Sequence, residues 1–281
     1  MSALLLVLAA AFFVELSTSI GKQEVASKKE TLYAVAFLGG IWSTIILILY
    51  TLFNSHAWVF SLTSLPTFSL RAVLEVLLLF VSVSAVQQAD RSTFAFLRML
   101  TIPLLLLVDL SLGYILSPLQ IIGMFFIMTV PLYLFQRSGM SKKGKLLSLA
   151  SAVLAVITIS LYKFNITHFN SVEAEQTLMH VLLILVIILT AWIRGHENVF
   201  RYLTHPLCII QSLAAGVAGV CMSFAYAFAP ASLVVALKRS FELFASLISG
   251  NIIFHEKKLF MKISAFLFAA LGIVLMSVAL V

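Results

Sequence analysis

Ten apolar runs, each long enough when wound as a helix to cross the hydrocarbon core of a bilayer, occupy almost the whole chain. They lie at residues 2–20, 31–53, 68–88, 91–112, 118–136, 145–163, 175–193, 207–228, 231–253 and 259–280. Ten spanning helices of about 20 residues use roughly 200 residues and leave about 80 for connections, with no stretch over for a soluble domain. In hydrocarbon every backbone polar group must be satisfied internally, which restricts spanning segments to helices or closed barrels. Runs of this length are helices. Composition agrees: 62% of residues are hydrophobic, 10% are charged and the mean hydropathy is +1.12, whereas a soluble domain is about a quarter charged. A water-soluble enzyme, a disordered chain and a nucleic-acid-binding module are excluded as starting points. The expected fold class is an all-α polytopic membrane protein with ten transmembrane helices.

The breaks between runs carry turn chemistry. Residues 21–30 form a charged loop, Pro66 and Pro206 precede the third and eighth runs, Pro118 opens the fifth, and Ala229-Pro230 joins the eighth to the ninth. Proline suits a first helical turn, where its missing N–H has no partner to lose. Pro103 lies inside the fourth run and is expected to kink it. The segment from Ala3 to Ile20 has no basic stretch ahead of it and reads as a first span rather than a cleavable signal.

The chain also reads twice at one offset. His56, Val59, Phe60 and Pro66 match His196, Val199, Phe200 and Pro206, all 140 positions later. Ile48-Leu49 matches Ile188-Leu189, Ser92 matches Ser232, Leu97 matches Leu237 and Leu107 matches Leu247. Arg98 falls on Lys238, a basic residue within a run in both halves. Five crossings leave the chain on the opposite side of the bilayer, so a second copy inserts upside down, the inverted-repeat plan of many transporters. The expected organisation is two inverted five-helix repeats, 1–140 and 141–281, within one membrane unit.

Loop charges test this independently. Lys22, Lys28 and Lys29 occupy the first loop, while its partner has Lys163 against Glu173 and Glu175. The loop from Asn54 to Phe68 has no Lys or Arg, while its partner carries Arg194 and Arg201. Basic residues thus swap between equivalent loops, as opposite orientations require. One side collects 13 of the 18 cations. That side is expected to be cytoplasmic, with both termini outside and the chain in the plasma (inner) membrane. The net charge of +7 needs no nucleic-acid partner, because the positive-inside rule accounts for it.

Ionisable groups within the runs are the most informative residues, since each costs a few kcal/mol or more in mid-bilayer and usually faces a cavity or a partner. They are Glu15 in the first run, Glu75 in the third, Arg98 and Asp109 in the fourth, and Lys238, Arg239 and Glu242 in the ninth. Arg98 and Lys238, related by the repeat, are expected to flank a polar cavity completed by Glu242 and Glu15 and to bind a small polar metabolite. The competing reading is that Lys238 and Glu242, at i,i+4, neutralise each other. Arg71 and Glu75 share that spacing near a helix start, and there a local pair with a snorkelling Arg71 is the expected arrangement. Arg239 points about 100° away from Lys238 on a helix and is expected to make a different contact.

Other features read blandly. Ala214 to Gly219 permits close helix packing. Trp58 and Trp192 sit at run ends and suit an interfacial belt. Cys208 and Cys221, about 20 Å apart on one helix, are small buried hydrophobes with no disulfide between them. Asn165-Ile166-Thr167 matches a glycosylation sequon but lies against a span. The sequence lacks HExxH, GxSxG, Walker A and CxxC motifs, and His180 has no second ligand nearby in sequence. No enzyme activity, metal or cofactor is expected.

The stretch Ala229-Pro230-Ala231-Ser232, then Ala236-Leu237-Lys238-Arg239, then Gly250-Asn251-Ile252-Ile253-Phe254-His255-Glu256-Lys257 runs from a small-residue turn through a helix to a short charged close. With the five-plus-five layout over nearly the whole chain, this resembles the drug/metabolite transporter superfamily, in particular its EamA-like ten-helix members. His255 stands where members carry Gly, and Leu116-Ser117-Pro118 stands where the first half would repeat the motif. The resemblance implies a central cavity lined by spans one, three, four, six, eight and nine, a set that holds Glu15, Arg98, Lys238 and Glu242. It implies a proton-coupling role for Glu15, by analogy with the first-helix glutamate of small relatives. It also implies cytoplasmic termini, opposite to the charge count.

The function expected from these readings is secondary transport of a small polar or amphipathic metabolite by alternating access. The expected partners are that substrate, protons or another coupling ion, and the bilayer, with the chain a monomer or homodimer. Two alternatives stand beside it: a flippase or exporter of a lipid-linked or bulky amphipathic molecule, and a non-transporting membrane scaffold.

Overall fold

Apolar sequence becomes helix throughout the computed structural model, which describes residues 2–26, 31–53, 58–87, 91–111, 117–137, 142–252 and 259–278. The helices are α1 (Ser2–Ala26), α2 (Leu32–Phe53), α3 (Leu65–Gln87), α4 (Arg91–Arg98), α5 (Thr101–Ser111), α6 (Pro118–Arg137), α7 (Lys142–His168), α8 (Val172–Thr190), α9 (Pro206–Phe228), α10 (Ala231–Ile252) and α11 (Leu259–Val278). Short 3-10 turns precede α3 and α9, and a π-turn, Ala191–Gly195, ends α8. There is no strand among the described residues. The loop cations Lys28, Lys29, Lys257 and Lys258, together with His56, Asp90 and the His255-Glu256 pair, lie outside the described residues.

Among the described residues, five segments are long and apolar enough to cross a membrane: Leu32–Phe53, Leu62–Ser82, Lys142–His168, Val172–Gly195 and Pro206–Phe228. Their outer faces carry large apolar side chains in the open, among them Leu52, Phe53, Val73 and Leu185. Patches of this extent mark a surface covered by something other than water. The molecule is an all-helical membrane protein. Many hydroxyls within the helices are satisfied by carbonyls three or four residues back, as suits a medium without water. Thr44 donates to the Gly40 carbonyl at 2.9 Å and Ser223 to the Gly219 carbonyl at 2.8 Å.

The chain forms two compact units, each drawn from both halves of the sequence. The first comprises residues 1–79 and 161–228, so it holds α1, α2, α8, α9, the first part of α3 and the end of α7. Its apolar core joins Ala34, Phe37 and Leu38 of α2 to Ile184 and Ile187 of α8, Tyr202 of the 3-10 turn and Cys208 of α9. Small residues let α9 approach its neighbours. A Cβ on Gly216 would stand 2.5 Å from the Trp42 Cβ and 2.9 Å from the Ser43 nitrogen of α2. Gly21 of α1 lies equally close to Gln211. The small-residue stretch of α9 is therefore a packing face. Cys208 and Cys221 are free thiols on that helix, Cys208 buried.

The second unit comprises residues 80–160 and 229–281. In it α10 packs against α4, α5 and α11, and α11 packs along α6. Gly272 of α11 faces the Gly123 carbonyl of α6, where a Cβ would stand 2.7 Å from the oxygen. The fourth apolar run is interrupted, not merely kinked. α4 ends at Arg98, Met99 and Leu100 form a turn, and α5 starts at Thr101. Met99 and Leu100 donate to Phe96 and Leu97, three residues back, at 3.1 and 3.3 Å. Pro103, which has no N–H to continue an α-helical ladder from Met99, falls in the first turn of α5, where proline is tolerated.

Candidate functional site

Among the described residues, charged groups within the helices form two clusters, one in each unit. In the second unit the helix break positions Arg98. It is the last residue of α4, its carbonyl accepts the Thr101 hydroxyl at 2.7 Å, and its guanidinium lies 5.6 Å from the centroid of the Phe94 ring. On α10, Lys238 Nζ is 3.6 Å from Glu242 Oε1. Arg239 donates to the other carboxylate oxygen of Glu242. Arg98 is within electrostatic range of both Lys238 and Glu242. Of the four residues expected to form the site, Arg98, Lys238 and Glu242 are thus brought together. The i,i+4 pair of Lys238 and Glu242 is formed, but it does not neutralise this stretch of α10, because Lys238 and Arg239 share the one carboxylate of Glu242.

Arg239 corrects the sequence reading. Its different direction was expected to give it a different contact, yet three residues is close to a full turn, and it reaches the same Glu242. The Arg239 Nε is buried with no hydrogen-bond partner. Asp109 of α5 is buried and occupied elsewhere: its carboxylate accepts the Ser232 N–H at 3.2 Å. That satisfies an otherwise unpaired donor in the first turn of α10 and places a negative charge at the positive end of the helix. Ser232 is six residues, or about 9 Å of rise, from Lys238.

Glu15 belongs to the first unit, on α1. It is partly buried and accepts the Ser19 hydroxyl at 3.0 Å.

The first unit holds a centre that sequence reasoning missed. Arg71 of α3 was expected to pair locally with Glu75 and to snorkel. The local pair is formed, but Arg71 does not snorkel: it is buried, at 3% exposure, and donates through one terminal nitrogen to Glu175 Oε1 of α8 at 2.8 Å. Its other terminal nitrogen donates to the Gln176 side chain at 3.2 Å and stands 3.6 Å from Glu75. The guanidinium lies 4.5 Å from the centroid of the Tyr162 ring. Glu175 is fully buried, one turn inside α8 rather than in a loop. It also accepts the side-chain amides of Asn165 at 2.9 Å and Asn170 at 2.5 Å. Asn165 is therefore a buried hydrogen-bond donor and not a glycosylation acceptor, its sequon notwithstanding.

Local sequence builds this centre. Ser171 caps α8, accepting the Ala174 N–H at 3.2 Å, and Glu173 and Glu175 fill the first turn, where a helix favours carboxylates. Asn170 also accepts the Ser61 N–H at 2.9 Å, tying the segment before α3 to the α7–α8 connection. Lys163 donates to the Tyr226 carbonyl at 2.6 Å, a cation at the C-terminal end of α9. Of this centre, the sequence marked Glu173 and Glu175 as loop charges and Asn165 as part of a sequon. The Arg71–Glu175 pair joins residues 104 positions apart, and no local pattern marks it.

Among the described residues no group of three His, Cys, Asp or Glu side chains is placed to hold a metal ion.

No family model matches the chain, and no curated protein matches it. A solved crystal structure, described only as that of a protein, is similar with a TM-score of 0.67 and 12% sequence identity, covering 96% of this chain and 98% of the other. At that identity the likeness speaks for the fold alone, over essentially the full length.

Proposed function

We propose that this chain is a secondary transporter that carries a small polar or amphipathic metabolite bearing an anionic group. It has ten spans, arranged as inverted repeats 1–140 and 141–281, and resides in the plasma (inner) membrane. The observation that carries the reading is an interrupted helix in an apolar run that ends on a cation, Arg98, beside a second helix bearing Lys238, Arg239 and Glu242. Broken helices in membrane transporters mark the substrate site. Two cations of α10 sharing the one carboxylate of Glu242 leave a charge that an anionic ligand offsets. In this reading Arg98 and Lys238 bind the anionic group, Glu242 holds the two basic side chains of α10 in place, and Glu15 exchanges the coupling proton.

The repeat has support in helix starts. α2 and α3 begin at Leu32 and Leu65, and α8 and α9 begin at Val172 and Pro206, 140 and 141 residues later. A short 3-10 turn precedes both α3 and α9. The EamA-like resemblance of the ninth span is consistent with the same plan.

Comparison of the metabolites in cells with and without the chain tests the proposal. Expression shifts the level of a small anionic metabolite, and R98Q or K238Q, present in the membrane at normal amount, abolishes the shift. An unchanged shift in both variants contradicts the proposal.

A further inference from the structure

The C-terminal end of α8 carries a second feature, separate from both charge clusters. The helix loosens into the π-turn, and His196 then adopts a left-handed conformation at φ 49°, the one non-glycine residue to do so among those described. Neither is favoured intrinsically, and both tend to occur where function holds them in place. Gly195 makes the geometry possible, since a Cβ there would stand 3.1 Å from the Tyr33 ring.

The result is an open cleft of about 530 Å³, walled by Ile188, Trp192 and Phe200 and floored by His196, Glu197 and Asn198. Phe200 is fixed by an edge-to-face contact with Phe37 at 5.1 Å. Asn198, exposed, caps the 3-10 turn by accepting the Phe200 N–H at 3.0 Å. Glu197, the carboxylate in the lining, accepts the Thr31 hydroxyl and lies within range of Arg201. Arg201 is exposed and donates to the Tyr202 hydroxyl at 2.8 Å, and Arg194 is exposed in the π-turn.

An exposed apolar stripe runs along α8 into this cleft. Leu185, Leu189 and Trp192, at spacings of four and three, are 61, 52 and 71% exposed. The apolar track ends in a cleft whose one carboxylate, Glu197, is engaged, and two exposed arginines stand beside that lining rather than in it, Arg201 within range of Glu197 and Arg194 two residues before His196; the combination complements a long apolar chain joined to an anionic head.

We infer that this cleft binds an anionic phospholipid, with the headgroup phosphate among Arg194, Arg201 and His196 and an acyl chain along Leu185, Leu189 and Trp192. The site needs only that the chain lie in a membrane, and it stands or falls apart from the transport reading.

Trp192 provides its own reporter. The full-length protein is placed in phosphatidylcholine vesicles containing the same fraction of brominated acyl chains, carried by phosphatidylglycerol in one set and by phosphatidylcholine in the other. The quenching lost in W192F is the Trp192 component. Brominated phosphatidylglycerol is expected to quench this component at several-fold lower mole fraction than the zwitterionic lipid, roughly fivefold for each arginine engaged, given the attraction of each cation near an anionic lipid surface. The preference disappears in R194Q/R201Q and survives in K142Q/K143Q, which removes two exposed cations elsewhere. Equal quenching by the two lipids overturns the inference. So does a preference that persists in R194Q/R201Q, or one that K142Q/K143Q removes as completely, since diffuse surface charge then accounts for it.

Discussion

The two units treat buried charge in opposite ways. In the first, Glu175 is fully enclosed, and both its oxygens are engaged by Arg71, Asn165 and Asn170, drawn from three different segments. In the second, Lys238 and Glu242 keep 23% and 14% of their side chains exposed, and one carboxylate serves two cations of its own helix with a third nearby. A charge saturated by hydrogen bonds from several elements holds those elements together and has little left to offer a ligand. A group with a surplus of one sign, set at a helix break, is held less completely and can bind something else. The contrast separates a structural ion pair from a candidate binding site where composition alone treats both as charge in an apolar run.

The largest effect is expected at Glu175. Removing one partner of a buried ion pair leaves the other uncompensated and costs about 3–5 kcal/mol. Glu175→Ala should lower the unfolding temperature sharply or abolish folded protein, as read by thermal unfolding of the purified chain. An unfolding temperature like that of the wild type would remove the distinction between the units from one side.

Next comes R98Q. A hydrogen bond to a charged group contributes about 1.5–3 kcal/mol, so losing one to substrate should reduce transport tenfold or more at unchanged folded amount. K238Q should do the same. A loss of stability as large as that of Glu175→Ala would make Arg98 a structural residue as well.

Gly216 sharpens the packing side of the comparison. A methyl group there meets Trp42 and the α2 backbone, and overpacking of this kind costs about 1–3 kcal/mol. Gly216→Ala should lower the unfolding temperature without moving the R98Q-sensitive transport per folded molecule. The smallest expected effect is at Thr101. Its hydroxyl holds the Arg98 carbonyl, and loss of one such bond costs about 0.5–1.5 kcal/mol. Thr101→Val should lower transport more than it lowers stability, because it loosens the end of α4 that carries Arg98.

Much of the fold was legible because hydrophobic length is a local property. The apolar runs became helices with boundaries shifted by a few residues, except at the fourth, where Pro103 gave warning of a distortion but not of a full break between Arg98 and Thr101. The site was legible in part. Arg98, Lys238 and Glu242 stood out as charges within apolar runs, and the structure brings them together. Arg71 and Glu175 did not stand out. Glu75 offered Arg71 a plausible local partner four residues away, and Glu175 looked like a loop charge two residues from Glu173. Their pairing depends on the approach of α3 to α8, which no spacing within one segment encodes. The cleft at His196 was hidden for a similar reason. His196 was visible as a repeat match to His56, but its left-handed backbone and the π-turn before it arise from how α8 ends against Tyr33.

The most direct test is transport per folded molecule in the R98Q/K238Q double variant, measured as the metabolite shift in cells divided by the amount of folded protein in their membranes. Loss of the shift at a wild-type unfolding temperature is the predicted result. A wild-type shift from the same amount of folded double variant would contradict the account.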